Sequence, residues 1–205
     1  MAKRQLIWDL PTRVFHWSLV LSFFSAYLSG DSERWALLHT TSGYTLLGLL
    51  VFRLVWGVVG TTYSRFSNFV QSPSAVFGYI SSVIKGQAIH YIGHNPLGAV
   101  GILGLLLLGL ICAISGWLVY AALGADWLET VHELSATIML VLVFVHIAGV
   151  LLTSYLHREN LVKAMLTGKK IAEDSQGITK TRPVIAGLLV ISILVFCWWS
   201  LRGSV

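Results

Sequence analysis

Five long apolar stretches constrain this chain more than any other feature. They run Val14–Ser29, His39–Val59, Leu97–Ala121, Val131–Leu152 and Pro183–Leu201. A membrane span needs about 20 mostly apolar residues. Within lipid each segment must satisfy its own backbone N–H and C=O groups, which selects the helix. The first stretch is short and is expected to start nearer Thr12. Of the 205 residues, 56% are hydrophobic and 11% charged, against roughly a quarter charged in soluble domains. An all-α transmembrane protein is expected. The polar start, residues 1–13, reads as a tail on one side of the membrane and not as a cleavable signal.

Charge sets the expected orientation. With the N-terminus in the cytoplasm, only Arg34 and Arg202, of 14 Lys and Arg residues, fall outside. The positive-inside rule therefore puts the N-terminus in the cytoplasm and the C-terminus in the periplasm. Trp35, Trp117, Trp127, Trp198 and Trp199 then mark the outer interface, and Trp8, Trp17 and Trp56 the inner one. The outer loops carry Asp31, Glu33, Asp126 and Glu129, with Glu133 just inside the fourth span. This acidity is either what the positive-inside rule leaves behind or a docking face for a basic periplasmic protein. In the long inner connection, Ser72–Pro73 reads as a helix start. Val76, Phe77, Ile80, Val83 and Ile84 mark one face of an amphipathic helix on the membrane surface. Asn95–Pro96 caps the third span.

Histidines carry the chemistry. His132 and His146 lie fourteen residues apart on the fourth span. At about 100° and about 1.5 Å per residue, that is nearly four whole turns and about 21 Å of rise. Both imidazoles face one way, one near each side of the hydrocarbon. Topology puts His39 at the depth of His132, near the outside, and His16 at the depth of His146, near the inside. Two pairs at matched depths suit two stacked b haems, whose bis-imidazole iron is competent for electron transfer. Arg53 lies fourteen residues after His39 and shares its face. An arginine inside a span normally faces the bundle interior, and Arg53 is expected to pair with a propionate of the inner haem, the alternative being a side chain that snorkels to the cytoplasmic interface near Trp56 and Gly60. Gly43, one turn after His39, would let a flat ring approach. Cys112 and Cys197 form neither CxxCH nor CxxC, so covalent haem is excluded and a thiolate metal site is not expected. His90 is a weaker candidate, and His94 and His157 are candidate proton carriers at a quinone site.

Several stretches resemble the bacterial di-haem cytochrome b family, which includes hydrogenase cytochrome b subunits and prokaryotic cytochrome b561. They are Trp8–Trp17 (WDLPTRVFHW), His39 with Gly43, Phe52–Gly57 (FRLVWG), Ser64–Phe66, Gly93–Gly98 (GHNPLG), Leu128–Glu133, His146, and Arg158–Val162 with Met165 and Gly168. The resemblance covers about residues 5–170. It implies a four-helix bundle holding two non-covalent b haems, with His16, His39, His132 and His146 as axial ligands. It also implies electron transfer between a membrane quinone pool and a periplasmic c-type cytochrome or hydrogenase. The expected organisation is a di-haem domain over 1–170, a polar linker over 171–182 and one extra C-terminal transmembrane helix over 183–205. The setting is the lipid of a bacterial inner membrane, with no nucleic-acid partner. Near the inner haem, Arg13, Arg65, His94 and His157 are candidates for a quinone or proton site. Two other readings are a superoxide:quinone oxidoreductase and a non-redox assembly subunit. The acidic outer loops disfavour the first of these, because superoxide is an anion.

Overall fold

A computed structural model describes residues 3–203. Both chain ends, residues 1–2 and 204–205, lie outside it. The protein is 74% helical. The helices are α1 (Leu10–Ser29), α2 (Ala36–Val59), α3 (Phe66–Phe69), α4 (Pro73–Ile84), α5 (Pro96–Tyr120), α6 (Trp127–Leu156), α7 (Leu161–Thr167) and α8 (Pro183–Arg202). Two short strands, β1 (Lys3–Leu6) and β2 (Lys169–Ala172), pair antiparallel. By length and composition, α2 with its preceding turn, α5, α6 and α8 can each cross a membrane. With 20 residues, α1 equals α8 in length, but Arg13, His16 and four serines make it less apolar. At 30 residues, α6 is about 45 Å long and exceeds the hydrocarbon layer of about 30 Å.

The helices start where their caps dictate. Asp9 caps α1, accepting from the Thr12 N–H at 2.7 Å, with Pro11 in the first turn. This sets the start at Leu10, four residues before the expected apolar boundary. Asn95 caps α5 in the same way, through the Gly98 N–H at 2.7 Å, with Pro96 following. Ser72 caps α4. Side chains of this kind satisfy backbone donors that the first turn leaves free.

Packing runs in a chain of neighbours. α5 lies along α6, α1 along α2, α2 meets α5, and α8 packs on α1 and α2. α6 keeps no comparable contact with α1 or α2. Leu46, Leu49, Leu50, Leu106 and Met139 form the apolar centre between the two ends of the bundle. The fifth apolar stretch is thus part of the bundle. Thr41 Oγ1 and Ser200 Oγ join α2 to α8 at 2.7 Å.

One end collects most of the basic residues with the strands and short helices, and is called here the basic end. The other, holding residues 30–35 and 121–126, is the acidic end. At the basic end the two-stranded sheet is an addition to the all-α expectation. The segment 171–182 is also no free tether. Its first residues form β2, the Ile178 N–H donates to Leu6 O at 2.7 Å, and Thr181 O accepts the Leu10 N–H at 3.0 Å. On α4 the buried residue is Tyr79, flanked by half-buried Val76, Ile80 and Val83. Phe77 and Ile84, on the apolar face expected to lie on the membrane surface, are 71% and 80% exposed.

Asp9 is fully buried and does more than cap α1. Its Oδ2 accepts from Trp56 Nε1 at 3.1 Å, from Ser64 Oγ at 3.3 Å, and from Thr61 Oγ1. One carboxylate therefore joins the start of α1 to the end of α2 and the following loop. Asp9→Ala would leave these donors and the Thr12 N–H without their acceptor, at a cost of about 3 kcal/mol. Chemical unfolding in detergent should show that loss, and the exposed Asp31→Ala should show almost none.

Candidate haem-binding core

At the acidic end, His39 on α2 and His132 on α6 face each other with ring centroids 5.9 Å apart. Each ring is held from behind by a helix carbonyl. His39 Nδ1 lies 2.8 Å from Ala26 O on α1, and His132 Nδ1 lies 2.8 Å from Cys112 O on α5. A carbonyl only accepts, so Nδ1 carries the proton in both rings and Nε2 keeps its lone pair. That is the tautomer an iron ligand needs, with its orientation fixed through the second nitrogen. The 5.9 Å spacing matches what one metal between two imidazoles requires: two bonds of about 2 Å plus two ring radii, about 6 Å in all.

Both cradles have the same local build. Ser29 and Gly30 follow Ala26 by three and four residues, and Ser115 and Gly116 follow Cys112 by three and four. Ser29 Oγ donates to Ser25 O and Ala26 O, at 2.6 and 3.2 Å. Ser115 Oγ donates to Ile111 O and Cys112 O, at 2.7 and 3.1 Å. A serine hydroxyl turned back onto its own helix occupies little of the face the imidazole approaches. The glycines supply the clearance. A Cβ at Gly116 would lie 2.7 Å from two atoms of the His132 ring, whereas at Gly30 the nearest His39 atoms are 3.5 Å away. At Gly43 a Cβ would meet nothing within 4 Å, so the space beside His39 is open.

At the basic end, His16 on α1 and His146 on α6 lie within electrostatic range of each other. His16 Nδ1 is enclosed without a hydrogen-bond partner among the described residues. Arg53 is buried, 4% exposed. Its Nη1 donates to Ser64 O at 2.9 Å, and its guanidinium lies 4.8 Å from the Phe66 ring centroid.

The remaining candidates do not converge on one site. Arg13 Nη1 donates to Leu166 O at 2.7 Å, Arg65 is exposed at the start of α3, and His157 ends α6. Only His94 lines the cavity at this end, a space of about 260 Å³ bounded also by Tyr63, Phe69, His90, Tyr91 and Gly93. The His94 ring packs against Trp8 and Phe69, each 4.7 Å away between centroids. Its Nδ1 is enclosed and unpartnered among the described residues. Burial, then the nearby Arg53, pushes its pKa down to about 3.

The helix-carbonyl cradles and the Asp9 hub are what a histidine census misses. The repeated Ser-Gly pairs, 29–30 and 115–116, were the available signal for the cradles. Residues 7–168 match the family model described as prokaryotic cytochrome b561. No curated protein and no solved structure matches the chain.

Two outcomes test this geometry. Gly116→Ala should displace His132 and deplete bound haem in the purified protein, while Gly30→Ala should retain it, as read by pyridine haemochrome content. For His94, between pH 6.5 and about 3 the unfolded chain binds a proton that the folded chain refuses. Stability should therefore fall as pH drops through that window. His94→Leu should flatten the acid side of a plot of melting temperature against pH.

Proposed function

The chain belongs to the prokaryotic cytochrome b561 family and is thus a membrane b-type cytochrome of electron transfer, and we propose that it carries electrons across the membrane between a quinone and a periplasmic redox protein. Two b haems are assigned, one between His39 and His132 and one between His16 and His146. The facing imidazoles of His39 and His132, each with Nδ1 on a helix carbonyl, carry this reading. Haem supplies one-electron chemistry, and two imidazole ligands saturate its iron and direct it toward electron transfer.

The chain's own residues bind and orient. Ala26 O and Cys112 O fix the tautomers of the pair at the acidic end. Open space beside Gly43, and a packing of α6 on α1 and α2 that is sparser than on α5, leave room for a macrocycle. Arg53, buried at the basic end, is the assigned partner of a propionate. The quinone is assigned to the cavity lined by aromatic Tyr63, Phe69 and Tyr91 and by polar Asn68, Gln71, His90 and His94, which could stack on a flat headgroup and hydrogen-bond its oxygens. With the basic end in the cytoplasm, as the charge bias supports, the acidic end meets the periplasmic donor or acceptor. A c-type cytochrome and a hydrogenase are the two partner classes considered.

His132→Ala should remove the haem of the acidic end, and His16→Ala that of the basic end. Each variant should keep about half the haem, with one redox transition in a potentiometric titration. A variant that kept two haems with unchanged spectra would overturn the pairing. Pull-down from native membranes, with haem staining of what is retained, separates a cytochrome c partner from a hydrogenase.

A further inference from the structure

The cavity at the basic end has two histidines on its wall, and they differ in every physical respect. His94 is packed between aromatic rings with its Nδ1 enclosed. His90 is 43% exposed, and its Nε2 lies 3.5 Å from Glu159 Oε2. Glu159 follows α6 and reaches back to β2, where its Oε1 accepts the Ile171 N–H at 2.8 Å. Its Oε2 is 3.4 Å from Lys170 Nζ. Lys170 is only 4% exposed, and its ammonium donates to Tyr91 O and Ile92 O, at 3.2 and 2.9 Å. Tyr91 and Ile92 both line the cavity. A buried ion pair is costly to assemble, yet here one is built against the wall of a cavity with a water-exposed imidazole attached to it.

We propose that His90 and Glu159 are the proton port of this cavity, exchanging protons between the aqueous phase and a quinone held inside. The inference rests on the assignment of the quinone to this cavity. Reduction of a quinone to its quinol takes two electrons, which come from the b-type core, and two protons. Each proton leaves a His90 imidazolium for a ring oxygen, C=O becoming C–OH. His90 then regains a proton from water. Oxidation of a quinol runs the same steps backward.

The surroundings divide the labour. Burial alone would raise the Glu159 pKa, but the Ile171 N–H, Lys170 and His90 outweigh it and hold the carboxyl below its ordinary value. Glu159 therefore stands as a carboxylate beside the His90 ring, 3.5 Å from its Nε2. Lys170 and His157 are the other ionisable groups facing His90. Lys170 directs its ammonium to two carbonyls and Glu159. The His157 ring lies 5.0 Å from that of His90. Burial, His90 and Lys170 depress the His157 pKa against the opposing pull of Glu159. His94, neutral across the physiological range, orients the ring oxygens and stores no proton.

The test uses the full-length, haem-loaded protein, reduced and mixed with decylubiquinone. His90→Gln should slow quinone-linked oxidation of the protein about 100-fold, the scale of a positioned acid–base group. The rate should fall far more than quinone affinity, the pH dependence should be lost, and free imidazole should restore the rate. Glu159→Gln, which removes the charge facing His90 Nε2, should slow the same oxidation. Unchanged rates and pH profile in His90→Gln would overturn the port while leaving the quinone cavity standing. An unchanged rate in Glu159→Gln would overturn it as well. If the wild-type protein neither binds nor reacts with decylubiquinone, the quinone assignment falls first and the port falls with it.

Discussion

The Asp9 carboxylate is the junction on which the basic end depends. It is fully buried, caps α1, and accepts from three side chains at the end of α2 and in the loop beyond. A buried carboxylate is tolerable only when its oxygens are filled with donors. Here those donors come from residues distant in sequence, so satisfying one charge also fixes the relative height of two helices. Those heights matter because α1 carries His16 and α2 carries His39 and Arg53. Ser64, one of the donors to Asp9, also gives its carbonyl to Arg53. The arginine is thereby held by the same loop that closes around the carboxylate.

At the acidic end the organising device is different. No buried charge appears in the cradles of His39 and His132. Each imidazole is aimed by a main-chain oxygen, and each helix supplying that oxygen presents a serine and a glycine one turn later. Backbone oxygens are positioned by the helix itself, so the aim of the rings is as rigid as the packing of α1 on α2 and α5 on α6. Met139 lies midway between His132 and His146, and Leu46 midway between His39 and Arg53. Seven-residue steps keep all of these on nearly one face, with the apolar centre between the two histidine levels.

Local chemistry was the part of this fold most legible in the sequence. Asn95–Pro96 and Ser72–Pro73 announce helix starts, because a cap acts within three residues. The depths of His16, His39, His132 and His146 follow from counting along apolar runs, since the bilayer fixes their length. What stayed hidden was pairing at long range. Nothing local in Lys3–Leu6 names Lys169–Ala172 as its partner strand, and nothing in Asp9 names Trp56. On α4, apolar periodicity located the helix but not which side would meet the bundle. Tyr79 fills that place, its hydroxyl reaching Thr153, while Phe77 and Ile84 face away. Arg13, Arg65 and His157 were grouped with His94 by their proximity to the basic end. Arg13 turns to Leu166 O and Arg65 is exposed, while the His157 ring packs 5.0 Å from that of His90, because depth in a membrane does not specify rotation about it.

The apolar centre has an electrical consequence. His132 and His146 are separated by about 21 Å of helix rise, or about two-thirds of a hydrocarbon layer of about 30 Å. A single charge moved between these levels crosses that share of the transmembrane voltage. At about 2.3 kcal/mol per elementary charge per 100 mV, the step is worth about 1.6 kcal/mol for each 100 mV of membrane potential. An energised membrane would therefore oppose passage of an electron toward its negative face and favour the return. With a haem at each histidine level, the fourteen-residue interval would make the chain sensitive to the energetic state of the cell.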